Sequence, residues 1–473
     1  MSSRQSTAVD ASPNAKFERA LGAIRARVSA CLPEAGGPSA AMAVAYSGGL
    51  DSTVLLHLAH AHALNRGLRL HAFHVHHGLS PHADAWLLHC ERQCEQLGVP
   101  LDVRRIVLDG VRGQGVEQAA RIARYAALGE LCEARAVPLL LTAHHQDDQA
   151  ETVLLQLFRG SGVAGLSGMD AANSAPGLLG SDRVFMGRPL LGSSRADLER
   201  YAATHGIGHI EDESNADPRF ARNALRHRVM PVIGDHFSGY QERIARAASH
   251  AQAAQRILDE VAAQDLEACS DGEALVISAL KSLSQDRCNN LLRHWFALRG
   301  LRMPASAWLD EMRIQIFSAK DDARIRVTHA DGEIRRHRDR IHLTRRFDDN
   351  DLHMPAIDFR WSGEGACRFE RYGGTLQFEH ASRGLDTAWL REQALQLRFR
   401  QAGDKLRLAA NRPTRTLKQH YQALGVPHWE RERLPIITAA GHILYAAGIG
   451  MHWHGEHCDR DGGIALRWLA DPI

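Results

Sequence analysis

The sequence lacks closely spaced cysteine pairs. Its eight cysteines are scattered over 473 residues, and none forms a Cys-x-x-Cys motif. Such pairs are typical of structural zinc sites and iron–sulfur clusters, so their absence argues against both and favours a reducing compartment. No apolar run reaches membrane-spanning length, and residues 1–15 lack the apolar core of a signal peptide. We therefore expect no membrane partner and a cytoplasmic location.

Lysine is also scarce, since only five of the 57 basic residues are lysines. The formal net charge of +2 does not by itself indicate a nucleic-acid partner. Nearly all positive charge is carried by arginine, whose planar guanidinium suits bidentate phosphate contacts, although GC-rich coding would produce the same bias. The chain is too long for one ordinary domain, and its 44% hydrophobic content can form two or three cores.

A loop of small residues, Ser47-Gly48-Gly49-Leu50-Asp51-Ser52, lies between a predicted strand at 41–46 and a predicted helix at 53–64. Glycines let the backbone approach an anion, and the helix N-terminus adds partial positive charge. The loop has no lysine and is therefore not a Walker motif. Because Asp51 would repel a bare phosphate, it suggests an intervening Mg²⁺. The alternative interpretation is a Gly-Gly turn before a helix that Ser52 caps.

Predicted strands and helices alternate along the first part of the chain, which indicates a doubly wound, mostly parallel α/β sheet. Ligands of such sheets lie outside the carboxyl ends of the strands. Three polar segments follow predicted strand ends, namely the Ser47 loop, the segment that starts at His74, and His144-His145-Gln146-Asp147-Asp148. We therefore expect them to converge on one site.

The His144–Asp148 segment combines imidazoles and carboxylates, which can bind Mg²⁺, orient phosphate oxygens and move protons. The alternative is a polar loop in which Asp147 or Asp148 is the N-cap of a helix. Arg121 and Arg124 are three residues apart on a predicted helix and share a face, so they could clamp a phosphate. A solvated helix face is the alternative for this pair.

We predict three domains. They are a catalytic α/β domain at 1–234, a small, mainly helical middle domain at 235–350, and a β-rich C-terminal domain at 360–473. Arginines can hold RNA phosphates, amides can read base edges and an exposed tryptophan can stack on bases. The candidate RNA contacts are Asn215, Arg222, Asn223, Arg226, Arg398, Arg400, Lys418, Trp429 and Arg431. For the last domain, a core Trp429 with surface arginines is an equal alternative.

Taken together, these segments resemble the tRNA(Ile)-lysidine synthetases of the ATP-pyrophosphatase (PP-loop) superfamily. Ala143 departs from the glycine of many members, and the middle domain matches poorly. The resemblance covers, in order, residues 47–52, 74–80, 117–125, 144–165, 188–191, 211–228, 398–404 and 417–435.

The resemblance implies that lysine is joined to C2 of the wobble cytidine in tRNA(Ile) with a CAU anticodon. The product is lysidine, which changes codon recognition from AUG to AUA, and an adenylated cytidine is the intermediate. ATP and Mg²⁺ are the implied cofactors, tRNA and free L-lysine are the implied partners, and a homodimer is left open. ATP binding is thereby assigned to residues 47–52 and His74, and Mg²⁺ to Asp51. Catalysis is assigned to Asp51, Arg121, Arg124, His144, His145, Asp147 and Asp148.

Two other functions compete with this one. A tRNA thiolase of the same superfamily would need cysteines to carry sulfur or a cluster, and the lack of paired cysteines disfavours it. A non-catalytic nucleotide- or RNA-binding protein would have no use for Asp51 and the His/Asp segment.

Overall fold

The computed structural model describes residues 12–32, 41–76, 78, 80–106, 115–211, 221–320, 325–344, 346, 354–382, 384–453 and 462–471. Contacts divide the chain into two compact units, residues 1–258 and 259–473. The division into three domains that the sequence suggests stays a prediction. Within the described ranges, no helix is both long and apolar enough to cross a lipid bilayer.

The first unit contains a six-stranded sheet in the order β3-β2-β1-β4-β6-β5. All neighbouring strands are parallel except β5, which runs antiparallel to β6. The mostly parallel, doubly wound sheet is thereby confirmed. The strands are β1 Met42–Ala45, β2 Leu70–His76, β3 Leu101–Arg105, β4 Leu139–Leu141, β5 Ala172–Ser174 and β6 Phe185–Gly187.

The central strands β1, β4 and β6 are buried on both faces, as expected when crossover helices cover a parallel sheet. Along β1, Met42 and Val44 belong to one hydrophobic cluster and Ala43 belongs to the other. The helices of the unit are Pro13–Cys31, Leu50–Arg66, Ala83–Leu97, Gly115–Ala134, Gln146–Phe158, Val163–Leu166, Pro176–Leu179, Arg195–His205, Ala221–Ala224, a π-helical turn Leu225–Val229 and Met230–His236. The helix Tyr240–Cys269 begins in this unit and ends in the second.

Two helix starts differ from the sequence prediction. The helix after the small-residue loop begins at Leu50, and Gly49 is its N-cap, so the alternative interpretation in which Ser52 caps it is wrong. The helix after β4 begins at Gln146 with His145 as N-cap, so neither aspartate is the cap. Asp148 instead accepts a hydrogen bond from the His145 backbone N–H at 3.0 Å. In both cases the polar residues lie in the first helical turn.

The second unit combines helices with antiparallel sheets, and the β-rich C-terminal part is confirmed. Residues 277–298 form two helices, because Ser284 caps a new helix. The helices are Ile277–Ser282, Gln285–Leu298, Ser306–Ser318, a 3-10 turn Glu370–Tyr372, Thr387–Glu392, Leu417–Ala423 and His428–Arg431.

The strands of the second unit form four sheets, with the orders β7-β8-β11-β10-β9, β12-β15-β18-β19-β20, β13-β14-β21 and β16-β17. Their strands are β7 Ser270–Asp271, β8 Ala274–Val276, β9 Arg326–Thr328, β10 Glu333–His337, β11 Arg340–Thr344, β12 Ile357–Phe359, β13 Ala366–Phe369, β14 Gly374–Ala381, β15 Leu395–Phe399, β16 Lys405–Leu406, β17 Arg415–Thr416, β18 Pro435–Ala439, β19 His442–Ala446, β20 Gly450–Met451 and β21 Gly463–Ala470.

Candidate active site

The small-residue loop is fixed by its own serines and by close packing. Ser47 Oγ and Ser52 Oγ lie 3.0 Å apart, and Ser52 Oγ donates to the Gly49 carbonyl at 3.0 Å. Gly48 has a φ of +84°, and a Cβ at this position would lie 2.8 Å from Ile210 Cδ1 and 2.9 Å from Cys90 Sγ. The Gly48 carbonyl accepts a hydrogen bond from the Ile210 N–H, and Gly49 forms an isolated parallel bridge with Ile210. The loop therefore requires glycine at position 48.

Gly48→Ala is expected to destabilise the protein more than Gly67→Ala does. Both substitutions place a side chain at positive φ, which costs about 1–2 kcal/mol. A Cβ at Gly67 meets no atom within 4 Å, whereas one at Gly48 also collides with Ile210 and Cys90. Overpacking of this kind adds about 1–3 kcal/mol. Chemical unfolding of the full chain measures the difference, and equal costs for both variants would show that the loop can relax.

Asp51 lies in the first turn of the helix that follows the loop. Its Oδ2 is 3.6 Å from His145 Nε2 and 3.4 Å from Arg195 Nη1. Its Oδ1 is buried and has no hydrogen-bond partner. This carboxylate therefore joins the loop to the His144–Asp148 segment, as the sequence predicts, and keeps one oxygen for a ligand.

His145 is surrounded by three carboxylates. Its ring nitrogens lie 3.3–3.6 Å from oxygens of Asp51, Asp147 and Asp148. Burial alone would lower the pKa of His145, but these carboxylates outweigh it and raise the pKa to about 10. Burial would likewise raise the pKa of Asp147, but His145 and the Arg195 backbone N–H lower it to about 2. At neutral pH the imidazole is a cation, and Asp147 and Asp148 are anions.

The neighbouring His144 has the opposite electrostatic environment. Burial lowers the pKa of its imidazole; Asp148 opposes this effect, and the guanidinium groups of Arg188 and Arg222 reinforce it. His144 Nδ1 lies 2.9 Å from Thr142 Oγ1. The adjacent pair thus contains one neutral imidazole and one imidazolium, which are suited to different roles.

The charge of His145 should make stability depend on pH. A histidine with a raised pKa in the folded state contributes stability that is complete below its unfolded pKa of about 6.5 and is lost as pH rises towards its folded pKa. Wild-type protein should therefore lose free energy of unfolding between pH 7 and 8.5, and His145→Gln should show a flatter profile. His144 contributes only below about pH 6.5, since its shift is downward.

Urea unfolding at both pH values tests this dependence. His205→Gln, which removes an exposed imidazole of the same unit, is the control and should keep the wild-type slope. The buried thiols of Cys90 and Cys132, whose pKa values burial raises to about 12, add slope as the pH approaches their unfolded pKa of about 8.5, but they do so equally in wild type and in both variants, so the difference between the profiles reports His145. Identical slopes for wild type and His145→Gln would contradict the proposed charge state.

Arg222 and Arg226 are held inside this site. Both guanidinium groups contact Asp148 Oδ1, at 2.9 and 3.1 Å, and both pair with Glu151, at 2.7 and 2.5 Å. Glu151 is 1% exposed. The sequence assigned these arginines to tRNA, whereas the structure places them on the carboxylates of the helix that begins at Gln146. With Arg195 and protonated His145 they provide four cations for the four carboxylates of this charge network, Asp51, Asp147, Asp148 and Glu151.

A cavity of about 680 Å³ opens at the carboxyl ends of the strands. Predicted site residues in its lining are Ser47, Gly49, Leu50, Asp51, Ser52, His74, Arg124 and His144. His74 is anchored through Nδ1, which lies 2.9 Å from the Tyr46 carbonyl oxygen. Arg121 and Arg124 lie over the Tyr125 ring, 4.9 and 5.5 Å from its centroid. The predicted convergence of the three polar segments is therefore observed.

Sequence reasoning missed several lining residues, among them Trp86, Arg195, His209, Glu211 and His227. Arg195 could have been found, because its helix follows β6 just as the other site segments follow their strands. Its backbone N–H donates to Asp147 Oδ2 at 2.8 Å, and its Nε donates to Glu199 at 3.1 Å. Glu211 gives no comparable signal, since no regular element adjoins it in the sequence.

The predicted RNA contacts of the second unit are mostly held by internal partners. Arg398 forms a bidentate pair with Asp404, at 2.9 Å for both bonds, and Arg400 donates to the Arg431 carbonyl. Lys418 is exposed.

Trp429 is 3% exposed and packs against His337 and His342, so its predicted exposure is wrong and the core alternative is correct. A ring enclosed in this way is not available for base stacking. Asn223 lies on the helical turn Ala221–Ala224, and Asn215 lies outside the described residues.

Comparisons with known proteins agree with this arrangement. A family model described as a PP-loop domain matches residues 21–233, a TilS substrate binding domain matches 275–342, and a TilS substrate C-terminal domain matches 395–468. A solved U34-tRNA thiolase from Methanococcus maripaludis, with a 4Fe–4S cluster, is 15% identical and covers 49% of this chain and 80% of its own. Its TM-score of 0.38 is too low to support a conclusion.

Curated relatives extend over nearly the whole chain. The tRNA(Ile)-lysidine synthase of Burkholderia pseudomallei is 41% identical over 466 residues, which is 91% of this chain and 94% of the relative. That of Alkalilimnicola ehrlichii is 40% identical and covers 88% of this chain and 91% of its own. Identity at this level over this length shows common membership, and the chain belongs to the tRNA(Ile)-lysidine synthase family.

Proposed function

We propose that this chain uses ATP to join the ε-amine of lysine to C2 of the wobble cytidine in tRNA(Ile) with a CAU anticodon, forming lysidine. The observation that carries this proposal is the position of Asp51. It follows a loop suited to pyrophosphate, lines the cavity together with His144 and Arg124, and keeps a buried oxygen without a partner. Family membership supports the choice of substrate.

Mg²⁺ fits this site through Asp51. No group of three or more His, Cys, Asp or Glu side chains in the described parts of the chain is arranged to hold a metal ion. Mg²⁺ commonly binds one or two carboxylates and completes its shell with phosphate oxygens and water, so Asp51 Oδ1 with ATP is a sufficient donor set. When bound, the ion neutralises phosphate charge and favours the departure of pyrophosphate.

In the first step, the C2 oxygen of the cytidine attacks the α-phosphorus of ATP. A bond forms between that oxygen and phosphorus, the bond to the bridging oxygen breaks, and pyrophosphate leaves in the Ser47–Ser52 loop. Arg124 and Arg195 line the cavity. The His145 imidazolium lies next to Asp51, with its Nε2 3.6 Å from Asp51 Oδ2. These cations stabilise the negative charge that develops on the phosphoryl oxygens.

In the second step, the lysine ε-amine attacks C2 of the adenylated cytidine, the new C–N bond forms, and the C–O bond to AMP breaks. The amine must first lose a proton. That proton is released to water, since burial lowers the pKa of His144 and makes its imidazole a weak base. The neutral imidazole lines the cavity and can accept a hydrogen bond from the attacking amine. The cavity-lining carboxylates in the described residues are Asp51 and Glu211, and we assign Glu211 to the α-ammonium of lysine.

Other parts of the assignment stay predictions. They include tRNA contacts by Asn215, Asn223, Lys418 and the arginines of the C-terminal part, a homodimer, and a cytoplasmic location. Arg222 and Arg226 are assigned here to the charge network.

Incubation of the purified chain with ATP, Mg²⁺, labelled lysine and tRNA(Ile) tests the proposal. Label should become acid-insoluble and survive mild alkali, with one pyrophosphate released for each lysine incorporated. The matched control is the same tRNA with its CAU anticodon changed to GAU, which lacks the wobble cytidine and should incorporate none. Pyrophosphate release that depends on a sulfur donor, with no incorporation of lysine, would instead indicate a thiolase.

A further inference from the structure

The cavity has to hold nucleobases, because the proposed reaction brings an adenine and a cytosine together beside the phosphate loop. Proteins commonly hold an unpaired base by stacking it on the face of an aromatic side chain. The residue that the sequence suggested for stacking, Trp429, is buried. The aromatic side chains that line the cavity are the candidates for this role.

Four Phe, Tyr or Trp residues of the described chain line the cavity, and three of them are enclosed. Tyr46 is 2% exposed, Phe73 is 1% exposed and Tyr125 is 4% exposed. The Tyr125 ring is also in contact with the Arg121 and Arg124 guanidinium groups. Trp86 alone among the four is only half-buried. It is therefore the one whose ring is accessible to a ligand.

The position of Trp86 follows from the helix that carries it. In Ala83–Leu97, Ala83, Leu87, Cys90 and Cys94 form the buried stripe at the spacing of helical turns. Trp86 borders this stripe in the first turn, at the end of the helix that reaches the cavity. Its ring is inclined by 36° to that of His82, at a centroid distance of 6.4 Å. The indole is thus in contact with the His82 ring and also lines the cavity.

We propose that Trp86 is the base-stacking residue of the cavity and binds a nucleobase of one of the two nucleic substrates, the adenine of ATP or the wobble cytosine of the tRNA. This inference deepens the proposed function and rests on it. Trp86 takes no part in proton transfer or in phosphate binding. Its substitution should weaken the binding of a base and leave the binding of phosphate unchanged.

Equilibrium binding to the full chain separates the two bases. The adenine arm compares Mg-ATP with Mg-tripolyphosphate, which lacks the base. The cytosine arm compares the anticodon stem-loop of tRNA(Ile) with the same stem-loop carrying an abasic wobble position. Trp86→Ala should raise the dissociation constant of one base-containing ligand by roughly 5- to 150-fold, the range that corresponds to loss of one stacked base. The matched ligand without the base should bind as it does to wild type.

Two variants keep the test decisive. Trp86→Phe retains an aromatic face and should restore most of the affinity, which a merely structural role of the indole would not explain. Trp389→Ala removes a half-buried tryptophan of the second unit that lies outside the segments matched by the substrate-binding family models, and it should leave all four dissociation constants unchanged. Unchanged affinity for both bases in folded Trp86→Ala would overturn the proposal. Because no arm requires lysine incorporation, failure of the proposed function and failure of this inference are distinguishable.

Discussion

Asp51→Asn is expected to reduce the rate of lysine incorporation about 10³-fold, the size of effect seen when one preorganised electrostatic group is removed from an active site. The substitution keeps the shape of the side chain and removes its charge. Oδ1 is the buried oxygen without a partner, so the loss falls on the group that would hold Mg²⁺ against the phosphates. Initial rates at saturating ATP and tRNA, over a range of Mg²⁺ concentrations, measure this effect.

A structural role for Asp51 would give a different result. His145 keeps Asp147 and Asp148 as partners in the variant, so the fold should survive and the melting temperature should change little. Asp182→Asn removes an exposed carboxylate of the same unit and is the matched control. If Asp51→Asn retained more than a tenth of the wild-type rate, Asp51 would serve only as a partner of Arg195 and His145.

Glu151→Gln is expected to lower the free energy of unfolding by about 3–5 kcal/mol, the usual cost of removing one partner from a buried ion pair. Glu151 is 1% exposed and pairs with both Arg222 and Arg226. Glutamine fills the same volume but leaves the two guanidinium groups with Asp148 as their remaining anion. Chemical unfolding of the full chain at pH 7 gives the value.

The control for this prediction is an exposed pair on the same unit. Glu242 and Arg246 are four residues apart on one helix and largely exposed, so Glu242→Gln should cost less than about 0.5 kcal/mol. Comparable costs for the two variants would mean that solvent screens the Glu151 pairs as effectively as the surface pair. In that case the carboxylate would not be what positions the arginines.

Two segments of the site, the small-residue loop and His144–Asp148, could be predicted from the sequence. Both are specified by signals within a short stretch of chain. A strand, two glycines and a helix start define the loop, and His144–Asp148 follows a strand in the same way. Because parallel strands end at one edge of the sheet, both segments had to meet. Arg195 also follows the carboxyl end of a strand, β6. It was not predicted because no distinctive motif surrounds it.

The remainder depends on contacts between distant parts of the chain. The partner of Arg222 and Arg226 lies 71 to 75 residues earlier, and no local pattern indicates that these arginines face inward. Trp429 is buried because β10 and β11 of another part of the second unit supply His337 and His342.

The helix starts were predicted at the wrong residues for a simpler reason. Glycine or histidine can be an N-cap, so the first polar residue with capping propensity is not always the cap.

The bridge between Gly49 and Ile210 has a consequence for how the two small substrates affect one another. Ile210 directly precedes Glu211, so the backbone of the loop proposed to hold phosphate is hydrogen-bonded to the backbone that carries the carboxylate assigned to lysine. A ligand that orders one of these segments reduces the conformational freedom that the other still has to lose. The affinities for ATP and for lysine are then linked, and the factor by which each raises the other must be the same.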